Sequence, residues 1–205
     1  MDYRTAYKLV NHATAQDDNR PVLAMPHIDA ANNVMFAADG FRLVVISLDK
    51  KLEPPRYDML ILKGYLVQVA VNPMELYAIS RLHYSIKGES AAYILRVNLI
   101  EGDSSALAFT QTSYSVHSSL DCTIIDDKRK KNKPVEIRFG ISPQYLMDCA
   151  KAIKEYLKTI GYDESTKVIL SISKPSMPIM FDCKDYREVI MPMFVDWDKP
   201  EKSTD

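Results

Sequence analysis

The residue types that most often carry out catalysis are scattered in this sequence. Its histidines lack the mutual spacing of metal ligands or of an acid–base pair; they are His12, His27, His83 and His117. The sequence also contains no phosphate-binding P-loop, no GxSxG nucleophile motif and no HExxH zinc motif. We therefore predict that the protein is not an enzyme and that it needs no metal ion or other cofactor.

Composition and cysteine usage indicate a globular protein of a reducing compartment. A chain of 205 residues with 47% hydrophobic content can bury a sizeable core, and no apolar run is long enough to span a membrane. Cys122, Cys149 and Cys183 lie far apart and without CxxC spacing, which argues against a disulfide framework or a zinc site. We expect a cytoplasmic protein that does not bind membranes. Because its net charge is only −1, contacts with nucleic acid would depend on local clusters of basic residues.

Lysine residues on one predicted helix are suited to binding a polyanion. The helix is capped by Ser142 and ended by Gly161, and its exposed face carries Lys151, Lys154 and Lys158. Basic side chains on one helix face attract phosphate groups, although a single surface lysine is more often simply solvated. Both interpretations stay open from these residues alone.

Two further segments have a functional and a structural interpretation. The apolar run Met191-Pro192-Met193 suits either core packing or an adaptable surface that binds several ligands. The charged run from residue 126 to residue 133 could bind phosphates, but a run of this kind between two strands is more often a hairpin loop.

An internal repeat positions these residues. Strand-like segments run directly into the helix starts Asn72-Pro73 and Ser142-Pro143, where a side-chain cap precedes a proline that needs no N–H group. Stepping back by the same 70 residues leads to Asp2, a third residue suited to capping a helix. The sequence therefore predicts three related units.

Each unit is predicted to contain one helix followed by about three strands, usually with one more strand in front. The leading strands are predicted within residues 58–71 and 135–141, and the first unit shows none. The strands after the helices are predicted at residues 21–28, 34–37 and 42–48, then 92–100, 106–111 and 120–125, and finally 167–173, 177–182 and 188–195.

Several stretches resemble signature segments of the bacterial DNA sliding clamp family, the β subunit of DNA polymerase III. The two main ones are MFAADGFRL at residues 35–43 and YREVIMPMFV at residues 186–195. Residues 19–23, 139–146 and 174–179 support the resemblance in the same order as in the family. The resemblance implies an α+β DNA-clamp fold built from repeated β-α-β-β-β units that assemble into a ring.

The resemblance also implies a function for particular residues. The ring would encircle double-stranded DNA without reading its sequence, and short linear peptides of the replicative polymerase and the clamp loader would dock in an apolar pocket. The pocket would be formed by Asp39, Gly40, Phe41, Arg42, Leu43, Val189, Ile190, Met191, Pro192, Met193, Phe194 and Val195. The residues facing DNA would be Arg4, Lys8, Arg81, Lys151, Lys154 and Lys158. Such a protein would lie in the cytoplasm at the nucleoid.

Departures from the family pattern affect the pocket. Ala38, Phe41 and Phe194 replace a threonine, a histidine and an arginine of the family, which makes the predicted pocket more apolar. Beyond the family's last strand lies a polar tail, which we expect to be largely disordered, with Trp197 anchored.

The number of units bears on assembly and on function. We divide the chain into a clamp-like domain at residues 1–127, with units 1–57 and 58–127, a third unit at residues 128–198, and a tail at residues 199–205. If a ring needs about twelve inner helices, three per chain favour a homotetramer, and a trimer would require a fourth helix. The alternative function is a clamp-derived protein that captures clamp-binding peptides without encircling DNA.

Overall fold

The computed structural model describes residues 1–17, 19–48, 65–86, 94–102, 104–111, 116–130, 136–195 and 197. In these ranges the helices are α1 (Tyr3–Val10), α2 (Pro73–Ser85) and α3 (Pro143–Ile160). The strands are β1 (His27–Asp29), β2 (Val34–Ala38), β3 (Arg42–Ser47), β4 (Val67–Val71), β5 (Leu95–Ile100), β6 (Ser105–Gln111), β7 (Val116–Asp127), β8 (Arg138–Ile141), β9 (Val168–Ile172), β10 (Ile179–Cys183) and β11 (Tyr186–Ile190).

All three helices begin where the repeat predicts. The Asp2 carboxylate accepts a hydrogen bond from the backbone N–H of Thr5, and Asn72 and Ser142 cap α2 and α3 in the same way. The end of α3 is also confirmed, because Gly161 adopts a positive φ of 88° that residues with a side chain rarely adopt.

The eleven strands form one sheet in the order β1-β2-β3-β11-β10-β9-β4-β7-β6-β5-β8. The second and third units interlock by exchange, because β4 pairs with β9 while β8 pairs with β5. This exchange relates the two units by an approximate two-fold axis. It groups the second unit with the third, whereas the sequence analysis grouped the first unit with the second; the predicted domain boundaries stay a prediction.

Among the described residues, the first unit joins this pair through one antiparallel ladder. Strand β3 pairs with β11 along its whole length, from Arg42 opposite Ile190 to Ile46 opposite Tyr186. The helices form a layer on one side of the sheet, where α1 packs on β2 and β3, α3 on β11, and α2 on β7 and α3. The largest fully buried side chains include Tyr156 and Tyr186, whose rings lie 5.9 Å apart between α3 and β11.

Two predicted strands differ from the structure because of proline. Residues 21–28 were expected to form one strand, but Pro21–Leu23 form a 3₁₀ turn and only His27–Asp29 pair with β2. The last strand was expected to run to residue 195, but β11 ends at Ile190. Pro192 lacks an N–H group, and pairing resumes only at a single bridge from Met193 to Gly140.

Strand β7 is longer than predicted, since it runs from Val116 to Asp127. The charged run begins within the last two residues of β7 and is described only up to residue 130. There Arg129 binds the carboxylates of both Asp127 and Glu101, so its guanidinium is engaged by acidic groups. No helix in the described ranges is both long and apolar enough to cross a membrane.

Candidate functional site

The turn from Asp39 to Arg42 is fixed by its own polar groups. The Asp39 carboxylate accepts hydrogen bonds from the backbone N–H groups of Phe41, at 2.9 Å, and Arg42, at 3.0 Å. Gly40 has a φ of 94°, and a side chain there would also collide with the guanidinium of Arg20. The turn therefore presents Phe41 at the surface from a rigid backbone.

The sheet brings together the two segments that the sequence analysis assigned to the pocket. Leu43 lies opposite Val189 on the β3–β11 ladder, and the backbone N–H of Met191 donates to the carbonyl of Phe41 at 2.7 Å. Residues more than 140 positions apart in the chain thus form one continuous surface.

The predicted pocket residues divide into an exposed set and a buried set. Phe41 is 55% exposed, Met191 42% and Phe194 87%, which is unusual for side chains of this size. The other accessible members of the set are Gly40, Leu43, Pro192, Met193 and Val195. The buried members are Asp39, Arg42, Val189 and Ile190. These four expose little side-chain surface and help to hold the turn and the ladder in place, and their part in a pocket stays a prediction.

The end of the pocket segment rests on β8. Met193 bridges Gly140 in the described chain, and a side chain at Gly140 would collide with Val195, Ile94 and the carbonyl of Met193. Only glycine permits this close approach. Met193 and Val195 therefore pack against β8 of their own unit, while Phe194 between them points to solvent.

One neighbour of the turn was not among the predicted site residues. Arg20 donates to the carbonyl of Asp39 and pairs with Asp17, so it covers Gly40 from the side of the 3₁₀ turn. Val22 on that turn is 69% exposed. The sequence contained a signal for Arg20, because residues 19–23 are one of the stretches that resemble the clamp family.

Below the turn, Arg42 lies at the centre of a buried charge cluster. Its guanidinium binds the carboxylates of Asp39, at 3.0 Å, and Asp148 of α3, at 2.9 Å. It also donates to the carbonyl of His12 and stacks over the ring of Tyr145. Burial alone would lower the pKa of Arg42, but the hydrogen bond to Asp148 and the surrounding carboxylates raise it above its usual value. Arg42 therefore stays charged and ties the first unit to α3.

A second buried cluster lies beside it and centres on Glu188 of β11. The Glu188 side chain is fully buried, accepts a hydrogen bond from the Tyr186 hydroxyl at 2.6 Å and lies 3.3 Å from His12 Nε2. His12 Nδ1 lies 2.9 Å from the carbonyl of Leu9 and must donate to it, because a carbonyl only accepts. Burial also raises the pKa of the Cys149 thiol beside Glu188.

The residues predicted to face DNA lie on the helix side of the molecule. Arg4 and Lys8 of α1, Arg81 of α2 and Lys151 of α3 are exposed. A cleft of about 450 Å³ separates α1 from α3, and Lys8 and Lys151 line it. The acidic residues Asp148 and Glu155 line the same cleft, so its charge is mixed.

The other two predicted lysines have partners in the protein. Lys154 places its ammonium group 3.9 Å from the centre of the Tyr77 ring on α2. Lys158 pairs with Glu155 at 2.8 Å on the surface of α3. Exposed pairs of this kind are weak, so Lys158 is still able to turn towards an external anion.

The predicted anchoring of Trp197 is confirmed. Its ring lies 5.4 Å from the guanidinium carbon of Arg96 and 4.8 Å from that of Arg138. The predicted tail at residues 199–205 lies outside the described residues, as do residues 196 and 198. Among the described histidine, cysteine and acidic residues, no group of three or more is arranged to hold a metal ion.

Comparisons with known proteins identify the fold. No family model matches the sequence, and no curated protein matches it. Solved structures do match: the DNA polymerase III β subunit of Thermotoga maritima superimposes with a TM-score of 0.66 at 15% identity, covering 93% of this chain and 63% of that one. The DNA polymerase sliding clamp of Bacillus subtilis gives 0.66 at 11% identity, covering 94% of this chain and 62% of that one.

A third match is the β clamp of Helicobacter pylori bound to a DNA ligase peptide, with a TM-score of 0.62 at 12% identity, covering 93% of this chain and 63% of that one. The chain spans less than two thirds of the length of these structures. Identities in this range show the fold, and the predicted α+β clamp fold is confirmed. The chain has the sliding-clamp fold of the bacterial DNA polymerase III β subunits.

Proposed function

We propose that the protein is a DNA sliding clamp, a non-catalytic ring that encircles duplex DNA and docks peptides of DNA enzymes. The observation that carries the proposal is the β3–β11 ladder, which joins the two predicted pocket segments into one exposed apolar surface. The basic helix residues lie on the opposite side of the sheet. One side would meet partner peptides and the other DNA.

The helix side suits contact with the DNA backbone. Arg4, Lys8 and Lys151 are exposed and lie on helices that belong to one layer. Lysine and arginine attract phosphates of any sequence, which allows a protein to slide instead of binding one site. Because the net charge is close to zero, this attraction depends on the placement of these side chains.

The outer side suits a short apolar peptide. Phe41, Met191 and Phe194 supply aromatic and thioether surface that adapts to several ligands. A structure of the Helicobacter pylori clamp holds a DNA ligase peptide. By analogy, the ligands here are peptides of the replicative polymerase and the clamp loader. The substitutions at positions 38, 41 and 194 favour a more apolar peptide than the family pattern does.

Topological retention on DNA tests the encircling ring. A linear duplex is incubated with the protein so that rings thread onto its free ends, and both ends are then blocked with streptavidin. A ring stays on the blocked duplex through a high-salt wash, because salt weakens phosphate contacts but does not break a topological link. The same wash should remove it from a duplex with free ends.

Equal loss from blocked and free duplexes would contradict encircling. A protein that is lost equally from both but still binds the DNA ligase peptide would be the peptide-capturing alternative. The matched control is a variant with alanine at Lys8 and Lys151, which should thread less efficiently but remain linked once blocked.

A further inference from the structure

Helices α1 and α3 enclose a cleft of about 450 Å³ where the first unit meets the third. Small-molecule sites in proteins have volumes of roughly 300–1,000 Å³, so the cleft has the size of such a site. Its walls are one face of each helix, because the lining residues of α1 and of α3 lie three or four positions apart. The cleft is larger than a single inorganic ion needs.

The two helices run antiparallel along the cleft. At one end, Arg42 donates hydrogen bonds to the carbonyl of His12 and to the carboxylate of Asp148, so the end of α1 lies beside the first half of α3. At the other end, Asp2 and Thr159 line one small cavity, so the start of α1 lies beside the last turn of α3.

This direction places two lysines at the same level on facing helices. Lys8 lies four residues before His12, which is about 6 Å along α1 at 1.5 Å per residue. Lys151 lies three residues after Asp148, which is about 4.5 Å along α3 in the same direction. Both lysines line the cleft and both are exposed. Two ammonium groups therefore face one space from opposite walls.

The acidic residues of the cleft are already bound to other groups. The Asp148 carboxylate binds Arg42 at 2.9 Å and accepts a hydrogen bond from Gln144 at 2.8 Å. The Glu155 carboxylate binds Lys158 at 2.8 Å. Within the described part of the chain, neither the Lys8 nor the Lys151 ammonium group has an ion pair or a hydrogen bond. Like charges that share a cleft repel each other, and an anion bound between them removes that repulsion.

The floor of the cleft is apolar. Leu9 and Ala152, which lie next to the two lysines in the sequence, also line it. The His12 ring adds little hydrogen-bonding capacity, because Nδ1 lies 2.9 Å from the carbonyl of Leu9 and Nε2 lies 3.3 Å from Glu188. A ligand that fits this arrangement carries its negative charge at one point and is otherwise uncharged.

We propose that the α1–α3 cleft binds an organic phosphate, with its phosphate group between Lys8 and Lys151 and its organic part against Leu9 and Ala152. A phosphate monoester suits the two lysines because it carries nearly two negative charges at neutral pH. Its oxygens accept charge-assisted hydrogen bonds from both ammonium groups.

The same lysines belong to the helix layer that would face DNA, and this step rests on the proposed clamp function. A backbone phosphate of duplex DNA and an organic phosphate would then compete for Lys8 and Lys151. Occupation of the cleft by the small molecule would weaken the contact of this face with DNA.

Titration with adenosine monophosphate, with adenosine as the matched compound, tests the site. The methyl signals of Leu9 and Ala152 are followed by NMR in a phosphate-free buffer. Adenosine monophosphate should shift both signals with a saturable dependence on concentration, whereas adenosine should shift neither, because it lacks the phosphate group. Shifts of equal size and concentration dependence with both compounds, or with neither, would overturn the proposal.

Variants of the lysines separate the cleft from the general charge of the helix layer. Lys8→Ala and Lys151→Ala should each weaken binding of adenosine monophosphate by roughly tenfold, the loss expected for one hydrogen bond to a charged group. Arg81→Ala on α2 removes the same charge from an exposed position outside the cleft and should leave the affinity unchanged. An equal loss in Arg81→Ala would overturn the cleft as the site.

Filling the cleft provides a second test that keeps both lysines. Ala152→Leu adds apolar volume to the floor without interrupting α3, because leucine favours helices. It should abolish binding of adenosine monophosphate, and a thermal melt would show that the variant is folded. A folded Ala152→Leu protein that binds as well as the parent would contradict the proposal.

Duplex DNA distinguishes the two sources of phosphate. If a short blunt duplex shifts the Leu9 and Ala152 signals and adenosine monophosphate does not, the lysines serve the DNA backbone alone. That result would overturn the organic phosphate site and keep the clamp function. Binding of adenosine monophosphate without retention on end-blocked DNA would keep the site and remove the clamp function.

Discussion

The two sides of the β3–β11 ladder reverse the usual distribution of charged and apolar side chains. On the helix side, the charged side chains of Arg42 and Glu188 are buried, and Asp148, which binds Arg42, is partly buried. On the outer side, Phe41 and Phe194 are exposed. Globular proteins normally bury apolar groups and expose charged ones. Both departures occur where the first unit meets the third.

The junction between the first and third units performs two tasks, one on each side of the ladder. Buried ion pairs require specific geometry, so the Arg42 cluster holds the first unit against α3 in one orientation. Exposed apolar groups cost stability in an isolated chain and are typical of binding surfaces. Changes on the helix side should therefore damage folding, and changes on the outer side should damage binding.

The largest expected effect is on the helix side. Arg42→Leu leaves the carboxylates of Asp39 and Asp148 without their cationic partner, and we expect the free energy of unfolding to fall by about 3–5 kcal/mol. Chemical denaturation measures this loss. The matched control is Lys158→Leu, which removes an exposed pair and should cost less than about 1 kcal/mol. Similar losses in the two variants would show that the cluster does not hold the junction.

The next prediction concerns the outer side. Phe194→Asp and Leu43→Asp should weaken binding of the DNA ligase peptide seen on the Helicobacter pylori clamp by roughly a hundredfold, because each places an unpaired charge in an apolar site. Fluorescence anisotropy of the labelled peptide measures the affinity. Phe194→Leu keeps the apolar surface and should bind nearly as well as the parent. Because Phe194 is 87% exposed, its replacement should leave stability unchanged.

Met193→Asp tests the same outer surface at a half-buried position. It should also abolish peptide binding while leaving assembly intact. Peptide binding that survives in Met193→Asp and Leu43→Asp would place the ligand elsewhere on the protein.

Removing basic side chains from the helix layer should have a smaller effect, on the salt dependence of DNA binding. Replacing Lys8 and Lys151 with alanine should reduce the dependence of DNA affinity on salt by roughly two phosphate contacts, since each contact contributes a slope of about 0.9. A salt titration of DNA binding measures the slope. Lys154→Ala is the control and should change it less, because Lys154 is held over Tyr77. An unchanged slope in the double variant would mean that this face does not meet DNA.

The smallest effect comes from an exposed charge pair outside the junction. Hydrogen bonds from Arg129 lower the pKa of Asp127 to about 2. The stability this provides is present above pH 3.8 and is lost as the pH falls towards 2. Arg129→Gln should return the Asp127 pKa towards its usual value in an NMR titration. Asp163, whose pKa is lowered by Ser165, should be unaffected.

The sequence predicted the parts of this junction that depend on local rules. Capping by Asp2, Asn72 and Ser142 involves residues within one turn of each other, so spacing along the chain was sufficient. The alternation of buried and half-buried residues in β3 is equally local. The resemblance then indicated that residues 39–43 and 189–195 belong to one surface, and the structure brings them into contact.

Local rules of this kind could not predict contacts between residues that are far apart in the chain. Arg42 was assigned to a pocket wall, but its partner Asp148 is more than 100 residues away and no local pattern connects them. The same applies to His12 and Glu188. The exchange of strands between the second and third units was also missed, because spacing along the chain shows that units repeat but not which of them pair.

The solution mass tests the central claim, that this chain builds a ring, most directly. Light scattering coupled to size exclusion over a range of concentrations should show an oligomer that persists on dilution, with a tetramer as the expected species. A monomer at every concentration would contradict the ring and favour the alternative proposal, a protein that captures clamp-binding peptides without encircling DNA.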